Sequence, residues 1–508
     1  MKPIRIFIFF AAVLLLLSVL ALLMPEQGID ITGEYRLTFM NLYDISREDT
    51  LSKAEDVKQL LSESFVTDDP EEDPVVDLFI PLEPVTQPVE HVAQSIDPLK
   101  NPIEPVTEPI DPVISPANRD SLQKSVYRIQ FAEEESDLLY PFFHHLDNQK
   151  AGRVRQSRIL HFGDSQLEND RMTSLIRYRL QKHFGGTGTG LVHAVPLYWG
   201  SLAYKQNQEG EWLRYTFFGK RDSTIKHNSY GVMGAFTSVP TAGDGEWPML
   251  HYRFNTARRS GQCDRIRIFL HSYVDNASVV FQVNDTIADT LRNIPGGFSE
   301  VDYRHHCIVK DLKVHLDLPE GGRIYGLSFE SYSGLQMDNI AMRGGSGLIF
   351  SRMNREQQQT MMDQLSPGLI LLQFGGNVVS YMNAKYYQRA FKRELQFYKE
   401  ICPGVPIIVI GPADMSYREK GIFYTCPNLE SIRDALKFAT LESGFAFWDL
   451  YEAMGGRNSM PSFVHTEPPL ARTDYIHFTN LGINLMGEMF YNALMLEYSN
   501  YTNQRREN

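Results

Sequence analysis

A serine, a carboxamide, a carboxylate and an imidazole follow one another along this chain, each where an apolar run gives way to a loop. Ser165 lies in His161-Phe162-Gly163-Asp164-Ser165-Gln166, after the short apolar push Ser157-Arg158-Ile159-Leu160 and before an amphipathic helix pattern from Glu168 to His183. A serine in a strand-to-helix turn is well placed as a nucleophile. Gly163 lets the chain turn tightly, and the helix N-terminus offers free N–H groups and positive dipole to a developing oxyanion. Asp474-Tyr475-Ile476-His477 precedes a helix that begins near Asn480-Leu481-Gly482. An aspartate three residues before a histidine sets its carboxylate on one ring nitrogen and leaves the other to a serine. Between them, the buried-strand pattern Leu369–Phe374 runs into Gly375-Gly376-Asn377. The C-terminal end of such a strand is where open α/β folds put their chemistry. Singly, each residue has an ordinary explanation: Asp164 and Ser165 as caps, Asn377 as a turn residue, Asp474 as the cap of the last helix. Their order and context together favour acyl transfer through a serine.

The blocks Gly163-Asp164-Ser165, Gly375-Gly376-Asn377 and Asp474-Tyr475-Ile476-His477 resemble those of the SGNH, or GDSL-type, hydrolase superfamily. The second block of that superfamily, a lone glycine, is matched by Gly344, with Gly345 one residue away as the competing match. Gln166 stands where the motif often has leucine, and Val378 follows Asn377 where aspartate is frequent. The resemblance spans roughly residues 155–200 and 336–496 and is greatest to peptidoglycan O-acetylesterase-like members that carry an inserted, carbohydrate-binding-like β-sandwich. It implies Ser165 as nucleophile, His477 as base and Asp474 as the group that fixes the imidazole. It also implies an oxyanion hole of the Ser165 and Gly344 N–H groups and the Asn377 amide, with no cofactor and no metal. The activity so implied is an extracytoplasmic esterase that removes O-acetyl or similar groups from a cell-wall or other glycan, peptidoglycan among them. An O-acyltransferase on the same glycans and a non-catalytic envelope glycan-binding or assembly protein are the alternatives.

The elements that must position these residues alternate. Helix patterns at Ser136–Asn148, Arg355–Gln364, Ala384–Ile401, Leu429–Ser443 and Leu481–Leu496 interleave with strand patterns at Leu369–Phe374, Val405–Ile410 and Phe445–Leu450. Such a rhythm predicts a parallel sheet covered on both faces, flavodoxin-like in the resemblance. Between Ser201 and Leu335 the pattern becomes all-β, with strands expected at Trp212–Phe218, His251–Phe254, Arg265–Tyr273, Ser278–Val283, His306–Leu316 and Arg323–Glu330. Their spacing suggests a sandwich or jelly roll. Trp247, Tyr230 and Tyr332 are candidate sugar-stacking aromatics there, against core positions as the ordinary reading. The layout so read is a membrane segment 1–25, a linker 26–118, α/β core 119–200, β insert 201–335 and α/β core 336–508. The glycine run Gly185–Gly190 lacks a Gly-Lys-Ser/Thr ending and follows a helix, so a flexible connection is expected in place of a phosphate loop. Asp414, His465 and Arg472 are polar residues expected near the site, without catalytic roles.

The 508 residues allow two or three domains, and a net charge of −13 argues against nucleic acid as a general partner. The uncharged run Ile6–Met24, behind Lys2 and Arg5, is long enough to span a bilayer with its N-terminus in the cytoplasm. An uncleaved inner-membrane anchor is expected over a cleaved signal peptide, because Pro25-Glu26-Gln27 offers no small-x-small site. From Val66 to Asn118 recurring prolines mix with Asp and Glu, and Lys100 is the only Lys or Arg. That composition predicts an extended stalk. Cys263 with Cys307, and Cys402 with Cys426, are plausible pairs in an exported chain, with other connectivities and free thiols left open. No Cys/His spacing suggests zinc, and His305-His306 reads as a surface pair.

Overall fold

Five short runs buried on both faces make the central sheet of the computed structural model: β1 (Gln156–Gly163), β2 (Gly334–Ala341), β3 (Leu369–Gln373), β4 (Ile407–Ile410) and β5 (Ala446–Trp448). All neighbours are parallel, in the order β2-β1-β3-β4-β5. β1 is therefore flanked by β2 and β3, and the order of the strands reverses beside it. Open α/β sheets hold their ligands at such a crevice, beyond the C-terminal ends of the strands. Ser165 follows β1 and Asn377 follows β3, so the topology brings both to this crevice.

The structure describes residues 126–133, 135–196, 201–239 and 247–507, residue 122, and a short antiparallel pair, Ile29–Asp30 with Arg36–Leu37. The chain divides into two units, Met1–Pro74 and Val75–Asn508; the second carries the sheet. The expected anchor 6–24 and the proline-rich stretch 66–118 lie outside the described residues. Among the described residues no helix is long and apolar enough to cross a membrane.

Alternate residues of each strand face opposite helical layers. Ile159, Met337, Leu369, Leu371 and Ile408 pack with α1 (Tyr140–Lys150), α2 (Thr173–Phe184) and the last helix, α6 (Asn480–Glu507). Leu160, Ile340, Ile370, Leu372 and Val409 pack with α3 (Arg355–Leu365), α4 (Ala384–Ile401) and α5 (Leu429–Glu442). Local sequence sets the helix starts: Asn354 caps α3 by accepting from the Gln357 N–H, and Asn383 caps α4 through the Tyr386 N–H.

Two antiparallel sheets lie between β1 and β2 in sequence. One orders Thr286–Ile294, Ala277–Val283, Asp311–Asp317, Met249–Phe254 and Tyr204–Glu209; the other orders Gly297–Arg304, Arg265–Ser272, Gly322–Glu330, Ala235–Val239 and Leu213–Thr216, with Gly190–Val192 also paired to Gly322–Glu330. The two share an apolar cluster that includes Leu250, Phe281 and Val314 from the first and Ile266, Ile268 and Leu327 from the second. The second sheet turns Phe236, Phe269 and Tyr325 the other way, onto Met361 and Met362 of α3. Tyr230 is fully buried in that layer, so it is a core residue and offers no ring to a sugar. Tyr332 is half-buried, its ring flanked by the Arg155 and Arg304 guanidiniums at 4.6 and 4.7 Å; Trp247 is half-buried.

The glycine run is a tight crossing instead of a flexible connection. A Cβ on Gly188 would stand 2.3 Å from the Phe329 carbonyl oxygen. The chain enters and leaves the insert at one place, with the Leu335 N–H on the Gly185 oxygen at 2.9 Å and the Ser331 N–H on the Thr187 oxygen at 3.1 Å. None of the four cysteines is bridged; burial pushes the Cys263 thiol up and the Cys402 thiol up to about 12.

A buried charge cluster fastens the insert to the sheet. Arg158 of β1 grips Asp338 of β2 at 2.9 and 2.7 Å and pairs with Glu330 of the insert. Arg265 and Arg267 approach the same Glu330 carboxylate at 3.4 and 3.5 Å. The Asp338 carboxylate also accepts the Leu191 N–H at 2.6 Å. Burial alone would raise the Glu330 pKa, but Arg158 and Arg267 hold it down at about 2. Breaking a buried pair strands the partner's charge, so Glu330→Gln should lower the unfolding free energy in denaturant by about 3–5 kcal/mol. An unfolded glutamate titrates near about 4.3, above the folded value. The stabilisation is therefore whole above that pH and fades as the pH falls toward 2, an acid-limb segment the variant should lack.

Candidate active site

The β1 strand does not run straight into a helix. Residues Ser165–Asp170 form a 3-10 turn, Asn169, Asp170 and Met172 take positive φ, and α2 starts only at Thr173. The expected helix start at Glu168 is thus displaced by five residues. Arg177 of α2 fixes the strained turn by gripping Asp170 at 2.6 and 2.8 Å. A buried one-way relay lies beneath it. Asn339 of β2 donates to Thr173 Oγ1 at 2.7 Å, Thr173 meets His161 Nδ1 at 3.0 Å, and His161 Nε2 meets Gln373 Oε1 of β3 at 3.1 Å. Burial pushes the His161 pKa down to about 3, so this ring is neutral, with Nδ1 accepting and the proton on Nε2.

Ser165, His477 and Asp474 come together in one row. The Ser165 hydroxyl lies 3.1 Å from His477 Nε2, and His477 Nδ1 lies 2.9 Å from Asp474 Oδ2. The Asp474 carboxylate shapes its own loop as well: Oδ1 accepts the Ile476 and His477 N–H groups, each at 2.9 Å. Partial burial would raise the Asp474 pKa, but the His477 ring and these two amides bring it to about 2, so it stays ionised at neutral pH. Tyr475 takes positive φ in the middle of the loop and stacks on Phe423 with centroids 3.5 Å apart. The Gln166 amide donates to the Ile476 oxygen at 3.0 Å, tying the serine turn to the histidine loop.

Asn377 stands beside this row on a turn that needs its glycine: Gly375 has φ +119°, and a Cβ there would lie 2.8 Å from Leu436. The Asn377 amide nitrogen donates to Asp164 Oδ2 at 3.1 Å and to the Gly345 oxygen at 3.2 Å. Both its protons are therefore engaged within the protein. Asp164 Oδ1 takes the Gln166 N–H at 3.0 Å. Burial pushes the Asp164 pKa up to about 6, against the opposing pull of that amide and of His477. Gly344 is exposed and has positive φ, and among the described residues its N–H and that of Ser165 carry no acceptor.

A cavity of about 410 Å³ opens over these groups. Ser165, His477, Gly344 and Asn377 line it, together with Arg343 and Asp414. Asp414 was singled out in the sequence, and its carboxylate is held by Thr425 Oγ1 and the Met460 N–H, each at 2.8 Å. His465 and Arg472 do not line the cavity; the Arg472 N–H closes the histidine loop on the His477 oxygen at 2.8 Å. The hairpin Ser416–Glu419 with Ile422–Thr425, which supplies Phe423, had no clear strand signal because its first strand is largely exposed. Among the described residues no cluster of His, Cys, Asp and Glu is arranged to hold a metal ion.

A solved peptidoglycan O-acetylesterase is similar to this chain at a TM-score of 0.60 and 18% identity, over 71% of this chain and 96% of that one. The fold is that of the SGNH/GDSL hydrolases. A family two carbohydrate esterase from Clostridium thermocellum, in complex with cellohexaose, aligns at 10% identity and a TM-score of 0.23, over 57% of this chain and all (100%) of that one. A carbohydrate esterase family 3 protein from Talaromyces cellulolyticus aligns at 16% and 0.25, over 32% and 72%. At these scores the last two likenesses carry no weight. No protein-family model and no curated protein matches the chain.

The Asp164 pKa of about 6 lies above its ordinary value of 3.8. The folded chain thus holds an extra proton between these values, and ionising the group costs stability as the pH rises through that window. Denaturant unfolding from pH 4 to 7 should lose that falling segment in Asp164→Asn.

Proposed function

We propose that this chain is a serine esterase that removes acetyl or similar acyl groups from a glycan outside the cytoplasmic membrane. The observation that supports this most is the row Ser165–His477–Asp474, at 3.1 and 2.9 Å, within a cavity of about 410 Å³. The likeness of fold to a peptidoglycan O-acetylesterase favours an acetylated cell-wall glycan as the substrate class. The apolar run Ile6–Met24 behind Lys2 and Arg5 supports an inner-membrane anchor with the catalytic part exported.

In this reading Ser165 Oγ attacks the ester carbonyl as its proton passes to His477 Nε2. Asp474 accepts the Nδ1–H hydrogen bond and, staying ionised, stabilises the imidazolium. The oxyanion is met by the Ser165 and Gly344 N–H groups. Asn377 joins them by giving up its bond to the Gly345 oxygen. The carbon–oxygen bond to the sugar then breaks, and His477 returns its proton to the departing hydroxyl. Water, activated by the same imidazole, releases the acyl group and restores Ser165.

Acetate release from O-acetylated peptidoglycan and O-acetylated xylan tests this. Wild type should release acetate, and Ser165→Ala and His477→Ala should not. Asp474→Asn should lose about 10⁴-fold in kcat. Asn377→Ala should lose about 10²-fold, near the low end for an oxyanion donor because its proton is already committed. A fluorophosphonate should label wild type and spare Ser165→Ala. A folded wild type that neither labels nor releases acetate would leave a glycan-binding protein, and acetyl appearing on an added sugar in place of free acetate would make it a transferase.

A further inference from the structure

The second sheet of the insert leaves one end of its α3-facing side uncovered. Cross-strand register sets Phe298 opposite His271, His271 opposite Arg323, Arg323 opposite Ser238 and Ser238 opposite Leu213, a row across five strands. All five side chains are partly or fully open, whereas their neighbours Ser272, Ile324 and Val239 on the opposite face are buried. Tyr273, 46% exposed, ends the row. Arg323 donates from Nε to the Tyr273 hydroxyl at 3.1 Å, and its guanidinium lies 5.2 Å from that ring and 5.4 Å from Phe236. His227 packs on the same Phe236 at 5.4 Å, and His271 sits edge-on to Tyr273 at 5.8 Å.

Arg323 gives this cluster a positive charge that no acid among the described residues answers. Among the described residues no carboxylate forms an ion pair with Arg323, Arg221, His227 or His271. Arg265 and Arg267, on the same side of the same sheet, are each paired with acids. Burial and then Arg323 lower the His271 pKa; burial, then Arg323, Arg221 and His271, push that of His227 to about 4. In a chain of net charge −13, a guanidinium held between aromatic rings without an acid among the described residues is a ready donor to an external carboxylate. Tyr273 supplies apolar surface beside it, with Phe298 and Leu213 at the two ends of the row, and a pyranose ring bearing a carboxylate presents both chemistries at once.

We propose that this row is a binding site for a chain of sugar acids, with the carboxylate on Arg323 and the apolar ring face on Tyr273. The choice of a glycan over an acidic peptide rests on the esterase reading; the charge argument does not.

The test is direct binding by the full-length chain carrying Ser165→Ala, so that it reads association whether or not the protein hydrolyses esters. Calorimetric titrations with oligogalacturonate, cello-oligosaccharide and poly-glutamate are compared. Oligogalacturonate should bind at least about tenfold tighter than either of the others, as expected for a charge-assisted contact plus a stacked ring. Arg323→Ala and, should that variant fold poorly, the exposed Tyr273→Ala should each weaken it by about tenfold or more. In the Ser165-intact chain, both should leave hydrolysis of a small acetyl ester unchanged. No binding of oligogalacturonate at millimolar concentration, binding indifferent to both substitutions, or equal binding of the neutral sugar would each overturn the proposal. Preference for poly-glutamate would overturn the glycan class.

Discussion

One carboxylate makes the site possible. Asp474 spends one oxygen on two backbone amides and the other on the His477 ring, so the turn that creates the loop also aims the imidazole. An ionised carboxylate that accepts several N–H bonds is hard to protonate and hard to rotate. The ring therefore reaches Ser165, 312 positions earlier in the chain, with its tautomer already chosen. Gln166 keeps the two loops from drifting apart, and the stacked pair Phe423–Tyr475 ties the histidine loop to the neighbouring hairpin.

Beneath these loops the structure relies on polar groups that a parallel sheet would ordinarily exclude. The relay from Asn339 through Thr173 and His161 to Gln373 crosses β2, β1 and β3 under the serine turn. On the opposite face of the same strands, Arg158, Asp338 and Glu330 join the sheet to its insert. The charge cluster pairs its members and the relay pairs all but the Gln373 amide nitrogen, inside a low-dielectric interior where a partner left unmatched is costly and a matched set is rigid. The sheet is thus held on two faces, one beneath the serine turn and one that fixes the antiparallel layers beside it.

Much of this was legible in the sequence. The residues now within reach of one another stood in loops after strong apolar strands, and those strands have a simple signature because both their faces are covered. The edge strand β2 was missed because buried Gln336 and Asp338 break its apolar run; a pattern cannot tell a satisfied buried acid from a surface one. The strands Tyr204–Glu209 and Thr286–Ile294 were missed for a related reason: each lies at the edge of its sheet and is largely polar. Asp164 looked like a helix cap, and it is one in part, but its second oxygen holds Asn377, a partner 213 positions away that no local pattern reveals. The glycine run was misread for want of the third dimension, since it serves packing between layers, whereas Tyr230 follows the ordinary core reading.

The insert's single doorway has a consequence for its history. Because Gly185 and Leu335 touch, the ends of the intervening segment are already joined in space, and a short turn would bridge the same gap. Loop-closure entropy grows only slowly with length, so lodging a large module there burdens the parent architecture little. The doorway is a natural splice point, where an ancestral α/β layer could gain or exchange a whole β module without disturbing the order of its strands.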